Sequence, residues 1–452
     1  MKELTKGYPA KVILLFAFPL MCSFIFQQLY NMVDAKIVSA YVGTDAFAAI
    51  GATAVVSNTI IGFINGLTQG FAIPVANSFG AGDYKKIHRF VAGAVILTFS
   101  IAVVFTALGE LFIRDILVAL NTTDDIMPYA VSYVRIIIAG IIFATVYNFC
   151  ANILRAVGDS KTPLYCLMIA VVLNIFLDLL FVKAFGWGIN GAAYATIIAQ
   201  AVAGFSCLIY MLHHYKEILP GKSEWKVDKE EYKNLITTGL AMGLMFCIVN
   251  IGTVILQGAI NGLGTAIVTA HTAARRLFDI LTIFLYSIGL AMTTYVSQNI
   301  GAGEIRRIRQ GILHAHIIVT AITTVLLIIC FALGRTITMW ITSTDSKDII
   351  EPAVMYMRIS ILFFYTLGPL FVMRCSLQGM GHKIMPVVSS VTEMLIKILS
   401  VIFLVPRFAY KGVAFTEPIS WVVMVIILWI AYFFERPKDE SAEVVIEAED
   451  KN

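Results

Sequence analysis

Long apolar runs, each bounded by charge, glycine or proline, recur along this chain at 11–38, 46–79, 87–111, 128–154, 163–184, 189–213, 234–260, 266–299, 309–333, 352–376, 386–405 and 411–434. A helix needs about 20 apolar residues to cross a bilayer, and every run meets or approaches that length. Within lipid the backbone must satisfy its own hydrogen bonds, so each run is expected to be a helix. The pattern predicts an all-α polytopic membrane protein with twelve transmembrane helices.

Polar stretches between the runs repeat. Val75 to Arg89 reads VANSFGAGDYKKIHR, and Val296 to Gln310 reads VSQNIGAGEIRRIRQ, at a shift of 221. LRAVGDSKTP (Leu154 to Pro163) returns as LQGMGHKIMP (Leu377 to Pro386) at a shift of 223. YVRI at Tyr133 returns as YMRI at Tyr356, and NGAAYAT at Asn190 as KGVAFTE at Lys411. Six crossings separate the copies and preserve direction, so the helices form two parallel-repeat six-helix bundles. The expected organisation is an N-lobe over 1–214 (spans 1–6), a linker over 215–233, and a C-lobe over 234–434 (spans 7–12). The linker follows from the ten charges between Tyr215 and Asn234. An acidic, disordered cytoplasmic tail is expected over 435–452, where seven acids face three bases.

Composition agrees. Of 452 residues, 59% are hydrophobic and 14% charged, with a mean hydropathy of +0.84. Soluble domains carry roughly 25% charged residues, and disordered chains or nucleic-acid binders need denser charge still. The seven cysteines all lie in apolar runs with no CxxC, so neither a disulfide framework nor a zinc site follows. The N-terminal lysines before an apolar run resemble a signal peptide, but without a small-residue cleavage site the run reads as an uncleaved first span. Lys and Arg gather at the termini and in the even-numbered loops. The odd-numbered loops hold only Arg114, Lys183, Arg335, Lys347, Arg407 and Lys411. By the positive-inside rule both termini of this multi-pass cell (plasma or inner) membrane protein are cytoplasmic.

An ionisable group within a span is costly unless paired or hydrated, so each marks candidate chemistry. Asp34 lies on span 1 and Asp178 on span 5, with Asn174 one helical turn before Asp178. At ~1.5 Å rise per residue, both acids and Thr196 on span 6 fall in the outer half of the bilayer. Two carboxylates with amide and hydroxyl oxygens at one depth can hold Na⁺ or share a proton. The alternative is a structural cluster tying spans 1, 5 and 6, with Arg135 as its base. The second half carries Arg275, Arg276 and Asp279 on span 8, Glu393 and Lys397 on span 11, and Glu417 on span 12. These sum to zero, as expected of internal ion pairs, whereas Asp34 and Asp178 sum to −2. Gly62, Gly66 and Gly70 form a GxxxGxxxG that permits close helix approach. Met21, Phe26 and Tyr30 on span 1, with Met245 and Phe246 on span 7, are candidates to line an adaptable substrate cavity. His271 reads as a packed or pore-side histidine. No phosphate loop, catalytic dyad or metal-ligand spacing stands out. No catalytic residue, cofactor, ATP or nucleic-acid partner is therefore expected.

FPLM and QQLYNMVDAKIVSAYVGTDAFAAIGA in and after span 1, the two GAG segments, LRAVGDSKTP and NIFLD in span 5 resemble MATE (multidrug and toxic compound extrusion) antiporters over nearly the whole chain. The resemblance implies a MATE-like fold and a cation-coupling site at Asp34, Asn174, Asp178 and Thr196. GLAMGLMFCIV (Gly239 to Val249) departs from the norfloxacin-transporter subgroup, with Ala241 in place of its proline and Val249 where its span-7 glutamate would fall. That places the chain closer to the DNA-damage-inducible subgroup. The implied function is secondary active multidrug efflux by alternating access, exporting organic, cationic and amphipathic compounds in exchange for H⁺ or Na⁺, by a monomer in the lipid bilayer. A lipid-linked oligosaccharide flippase is the alternative, its pyrophosphate held by Arg275, Arg276 and Lys397; a membrane-embedded enzyme is remote.

The orientation has a direct check. Single cysteines within 121–125 or 342–347 should react with an impermeant thiol reagent from outside, and those within 82–89 or 224–230 only from inside. Outside labelling of the second group would invert the topology.

Overall fold

The computed structural model describes residues 3–120, 122–342 and 344–436, the side chains of positions 44, 45 and 47 aside. The acidic tail expected over 435–452 lies outside the described residues beyond Arg436. Among the described residues the chain is helical, joined by turns, with no strand. The helices are α1 (Pro9–Tyr41), α2 (Thr44–Gly80), α3 (Tyr84–Ala119), α4 (Met127–Ala139), α5 (Ile141–Ala156), α6 (Lys161–Asp178), α7 (Gly188–His214), α8 (Lys229–Asn261), α9 (Thr265–Gly301), α10 (Ile305–Thr342), α11 (Lys347–Leu362), α12 (Phe364–Gly379), α13 (Ile384–Leu399), α14 (Val405–Phe408) and α15 (Tyr410–Glu435). Ten described segments are long and apolar enough to cross a membrane. Two bent pairs, α4–α5 at 45° and α11–α12 at 52°, bring the number to 12 when each pair is one span.

The sequence repeat is a repeat of backbone. Adding 220 to the bounds of α1 gives those of α8, and adding 221 to those of α2 gives α9. Adding 223 to α5 gives α12, and to the start of α6 the start of α13. Runs expected to be continuous at 128–154 and 352–376 bend instead, at the equivalent positions Gly140 and Phe363. At Gly140 the side chain of Ile197 on α7 occupies the space a Cβ would need. Since phenylalanine stands at the other bend, glycine is not what the bend requires. After α6 the chain passes into a π-helical stretch, Leu179–Ala184, and after α13 into another, Ser400–Leu404.

Contacts divide the chain into two compact units, and glycines explain where the division falls. One holds Phe18–Val75 and Asp83–Cys247; the other holds Glu3–Ala17, Ala76–Gly82 and the chain from Ile248. The boundaries differ from a cut through 215–233 because helices cross the nominal lobes. In the first unit a Cβ on Gly66 would sit 2.7 Å from the Met242 carbonyl, and one on Gly70 2.6 Å from that of Thr238. Gly239 and Gly243 meet Phe71 and Phe63 in return. This two-sided glycine contact seats the first half of α8 on α2, as the GxxxG spacing predicts. In the second unit Gly80 lies against the carbonyl of Gln298, and Gly301 against that of Asn77. Those four residues are two repeat-equivalent pairs, so the contact is reciprocal. The N-terminal segment joins the second unit because the Leu4 N–H donates to Gln298 Oε1 at 2.9 Å and Arg307 donates to the Gly7 carbonyl at 2.9 Å.

Burial runs opposite to a soluble protein. Large apolar side chains such as Trp340, Leu111 and Val172 are exposed, while Asn174, Asp178, Lys397 and Gln298 are buried. That arrangement suits a lipid surround. A core around Val38, Ala49, Leu117, Val134 and Ala192 holds α1, α2, α3, α4 and α7 together in the first unit.

Two substitutions test the backbone. Ala409 has φ +47 and ψ −129, at the repeat position of Gly188, which has φ +59. An L-residue at such a φ costs about 1–2 kcal/mol, so Ala409→Gly should raise the thermal midpoint of the purified protein. Gly301→Ala should lower it, because a backbone carbonyl cannot swing away as a side chain can. A lower midpoint for Ala409→Gly would refute the strain.

Candidate functional site

The first unit buries its acids beside a cavity. Asp34 is carried by α1, Asn174 and Asp178 by the last turns of α6, Thr196 by α7 and Tyr133 by α4. Asp34 is 9% exposed, and Asn174 and Asp178 are fully buried. The two carboxyls approach closely enough to share a hydrogen bond. When both are ionised, however, each is acceptor-only and neither can donate. Asp34 Oδ1, both oxygens of Asp178 and both amide atoms of Asn174 have no hydrogen-bond partner among the described residues. Tyr30 donates to Thr196 Oγ1 at 3.1 Å and, with Tyr133, lies within electrostatic range of both acids.

Arg135, the base that could have made this a structural ion-pair cluster, points elsewhere. Its side chain is 54% exposed and lies 3.8 Å from Glu110. No basic side chain among the described residues pairs with the acids, which sit among hard oxygen donors: two carboxyls, an amide and a hydroxyl. That donor set fits a monovalent cation or a shared proton.

A cavity of 370 Å³ opens against this cluster, lined by Asp34, Tyr30, Tyr133, Asn31, Thr196 and Gln200 among others. The volume is in the range of sites for small drug-sized molecules. Of the residues expected to line it, only Tyr30 does so. Met245 and Phe246 instead pack with Ile73 and Met242 as apolar core, because the glycine contact turns that face of α8 onto α2. Met21 and Phe26 are half-buried and outside the lining. Tyr133 belongs to the site without having been singled out, although the YVRI/YMRI repeat pointed at it.

The second unit buries a different set around a smaller cavity of 180 Å³. Arg275 donates through Nε to Asp279 Oδ1 at 2.9 Å and through Nη1 to Glu417 Oε1 at 2.6 Å. Tyr356 donates to Glu417 Oε2 at 3.1 Å. Lys397 donates to Glu393 Oε1 at 2.9 Å and to Thr253 Oγ1 at 3.1 Å, with Glu417 Oε1 at 4.0 Å. Arg374 closes the series 3.8 Å from Glu393 Oε2 and donates to the Met424 sulfur. The sign alternates along Arg374, Glu393, Lys397, Glu417, Arg275 and Asp279. Arg276 is not a member: adjacent helical residues do not share a face, and its side chain is exposed while Arg275 points inward. Arg374 takes its place and keeps the sum at zero. His271 is buried, its Nδ1 3.2 Å from the Tyr410 hydroxyl and its ring edge-on to Tyr356.

Comparison with known proteins places this architecture. The MatE family model matches residues 19–180 and 241–403, one copy in each repeat. The probable multidrug resistance protein YpnP of Bacillus subtilis is 30% identical over 306 residues, 68% of this chain and 68% of its own. YoeA of the same organism, also named a probable multidrug resistance protein, is 26% identical over 443 residues, 95% of each chain. Among solved structures, a MOP-superfamily transporter from Pyrococcus furiosus superposes with a TM-score of 0.87 at 22% identity, covering 94% of this chain and 96% of that one. The repeated model match and the Bacillus relative together establish that this multi-pass membrane chain belongs to the MatE family.

Proposed function

We propose that the protein is a secondary active antiporter that exports organic, amphipathic and mainly cationic compounds across the cell membrane in exchange for H⁺ or Na⁺. The observation that carries this reading is the acid pair of the first unit: two buried carboxylates facing each other with no basic partner among the described residues, of which Asp34 lies on the wall of a drug-sized cavity and Asp178 is fully buried behind it. Such a pair is poorly stable until a positive charge joins it. A cation or proton at Asp34 and Asp178 and a cationic compound in the adjoining cavity then compete for one negative field. Linkage makes the competition reciprocal, so each ligand lowers the affinity for the other by the same factor. Asn174 and Thr196 would supply further oxygens to Na⁺, whereas a proton needs only the carboxyls. The Bacillus relatives, named for multidrug resistance, support export of varied compounds.

The basic groups that a pyrophosphate-binding flippase would require are already engaged, Arg275 by Glu417 and Asp279, and Lys397 by Glu393. Val249 on α8 and the balanced charge of the second unit favour kinship with the DNA-damage-inducible subgroup, in which coupling rests on the first half. The positively charged loops favour cytoplasmic termini, and a sequence without a phosphate loop fits a carrier driven by an ion gradient rather than by ATP.

Purified protein in liposomes, with the pH and Na⁺ gradients imposed separately, tests the reading. Coupling of this kind corresponds to affinity changes of about 5–150-fold. Asp34→Asn keeps the shape of the side chain, so it should insert and bind compound while losing the response to either gradient. Asn174→Ala and Thr196→Ala should impair a Na⁺-driven protein more than a proton-driven one. Wild-type gradient-driven efflux by a correctly inserted Asp34→Asn protein would sink the mechanism.

A further inference from the structure

The matched helix bounds allow the two polar clusters to be compared position by position. A shift of 223 carries Asn174 to Lys397 and Tyr133 to Tyr356, and a shift of 221 carries Thr196 to Glu417. The acids of the first unit have no acidic counterpart: Asp178 maps to Val401, and Asp34, at the α1–α8 shift of 220, to Val254. Beside Val254 stands Thr253, whose hydroxyl accepts from Lys397. Glu393 lies one turn before Lys397 on the same helix. The second unit thus places carboxylate and hydroxyl oxygens around the repeat-equivalent locus. At their centre it holds a primary ammonium, with Lys397 only 1% exposed.

We propose that Lys397 is a tethered cation: its ammonium permanently fills, in the second unit, the place that in the first unit takes the coupling cation. The reading of the first unit as a cation site is the one on which this rests. Three observations within the second unit support it. First, Nζ is a compact charge with three donors, and it lies among Glu393, Thr253 and Glu417 at 2.9, 3.1 and 4.0 Å. Second, the aliphatic stem has a prepared path, since a Cβ on Gly252 would stand 3.1 Å from Lys397 Cδ. Third, none of the side-chain polar atoms of Lys397, Glu393 or Glu417 is left buried without a partner, in contrast to the five such atoms of the first-unit cluster. The charges that face the ammonium are Glu393 from its own helix α13 and Glu417 from α15. Arg374 from α12 and Arg275 from α9 stand beyond those carboxylates. The ammonium is therefore held by an environment built for a cation, and no free ion is needed there.

The test replaces the tether. Lys397→Ala removes three methylenes and the ammonium, which together have the shape of n-propylammonium. The purified full-length variant should unfold at a lower temperature than the wild type. Added n-propylammonium chloride should recover most of the loss at saturation, because a ligand of the folded state alone stabilises it by mass action. Tetramethylammonium chloride, which has no N–H to donate, should not. An unchanged midpoint in Lys397→Ala, or equal recovery by both salts, would overturn the proposal. If Lys397→Ala does not fold, the pair Lys397→Met and Lys397→Met/Glu393→Gln decides. Removing one partner of a buried pair costs more than removing both, so the double variant should recover stability and a weaker double variant would count against the tether. Repeating the amine titration in an Asp34→Asn background keeps the outcomes separate: amine recovery there stands whether or not Asp34 drives transport.

Discussion

A charge held in a helix bundle surrounded by lipid must be balanced within the bundle, and this protein meets that constraint in two ways. In the second unit, the chain's own side chains supply the balance as ion pairs. Six side chains alternate in sign from Arg374 to Asp279, and each carboxylate has a basic partner on its own or a neighbouring helix. In the first unit, the acids Asp34 and Asp178 face each other with no basic partner among the described residues. Asp178 is fully buried, and Asp34, 9% exposed, meets the cavity. Much else in the unit is arranged around that deficit: the tyrosines against the acids, the hydroxyl of Thr196 tied to Tyr30, and a cavity against them.

The frame that holds the two clusters is one design used twice. Helix bounds repeat at shifts of 220 to 223, bends fall at equivalent residues, and a π-helical stretch follows the site-bearing helix in both copies. Glycine is placed where backbones touch. Gly66 and Gly70 admit α8, and Gly80 and Gly301 form a reciprocal contact in which any side chain would meet a carbonyl. Such contacts tolerate little change, whereas four polar positions of the clusters have diverged, with Tyr133 and Tyr356 alone retained among those compared. Asp, Asn, Asp and Thr in one copy stand where Val, Lys, Val and Glu stand in the other. Chemistry diverged on a backbone that could not.

Features that depend on period and composition were legible before any coordinates. The apolar runs, the repeat and the placement of Asp34 and Asp178 within spans are local properties of the chain, whereas only the fold shows that Arg135 pairs elsewhere. Features that depend on where a helix face points were not. Arg275 and Arg276 look alike in a sequence, yet only the first faces inward. Arg374, inside the run at 352–376, was not among the charges singled out, while in space it completes the alternating series. Met245 and Phe246 have the composition of a cavity wall, but Gly239 and Gly243 turn them onto α2. The division of the chain into units escaped for the same reason: it follows contacts of Leu4, Gly80 and Gly301 that span about 220 to 300 residues of sequence.

The asymmetry between the units bears on which of them can respond to an ion gradient. A ligand shifts a conformational equilibrium only by the difference in its affinity for the two states. A balanced series of ion pairs offers an incoming cation little, because every carboxylate it could approach already has a base, and displacing one leaves a buried charge behind. The acid pair offers a cation a large gain, and that gain changes with any movement that separates α1 from α6. Under the antiport proposed above, uncompensated charge in one copy and compensated charge in the other would confine sensitivity to the first unit, while the second keeps a polar, hydrogen-bonded interior.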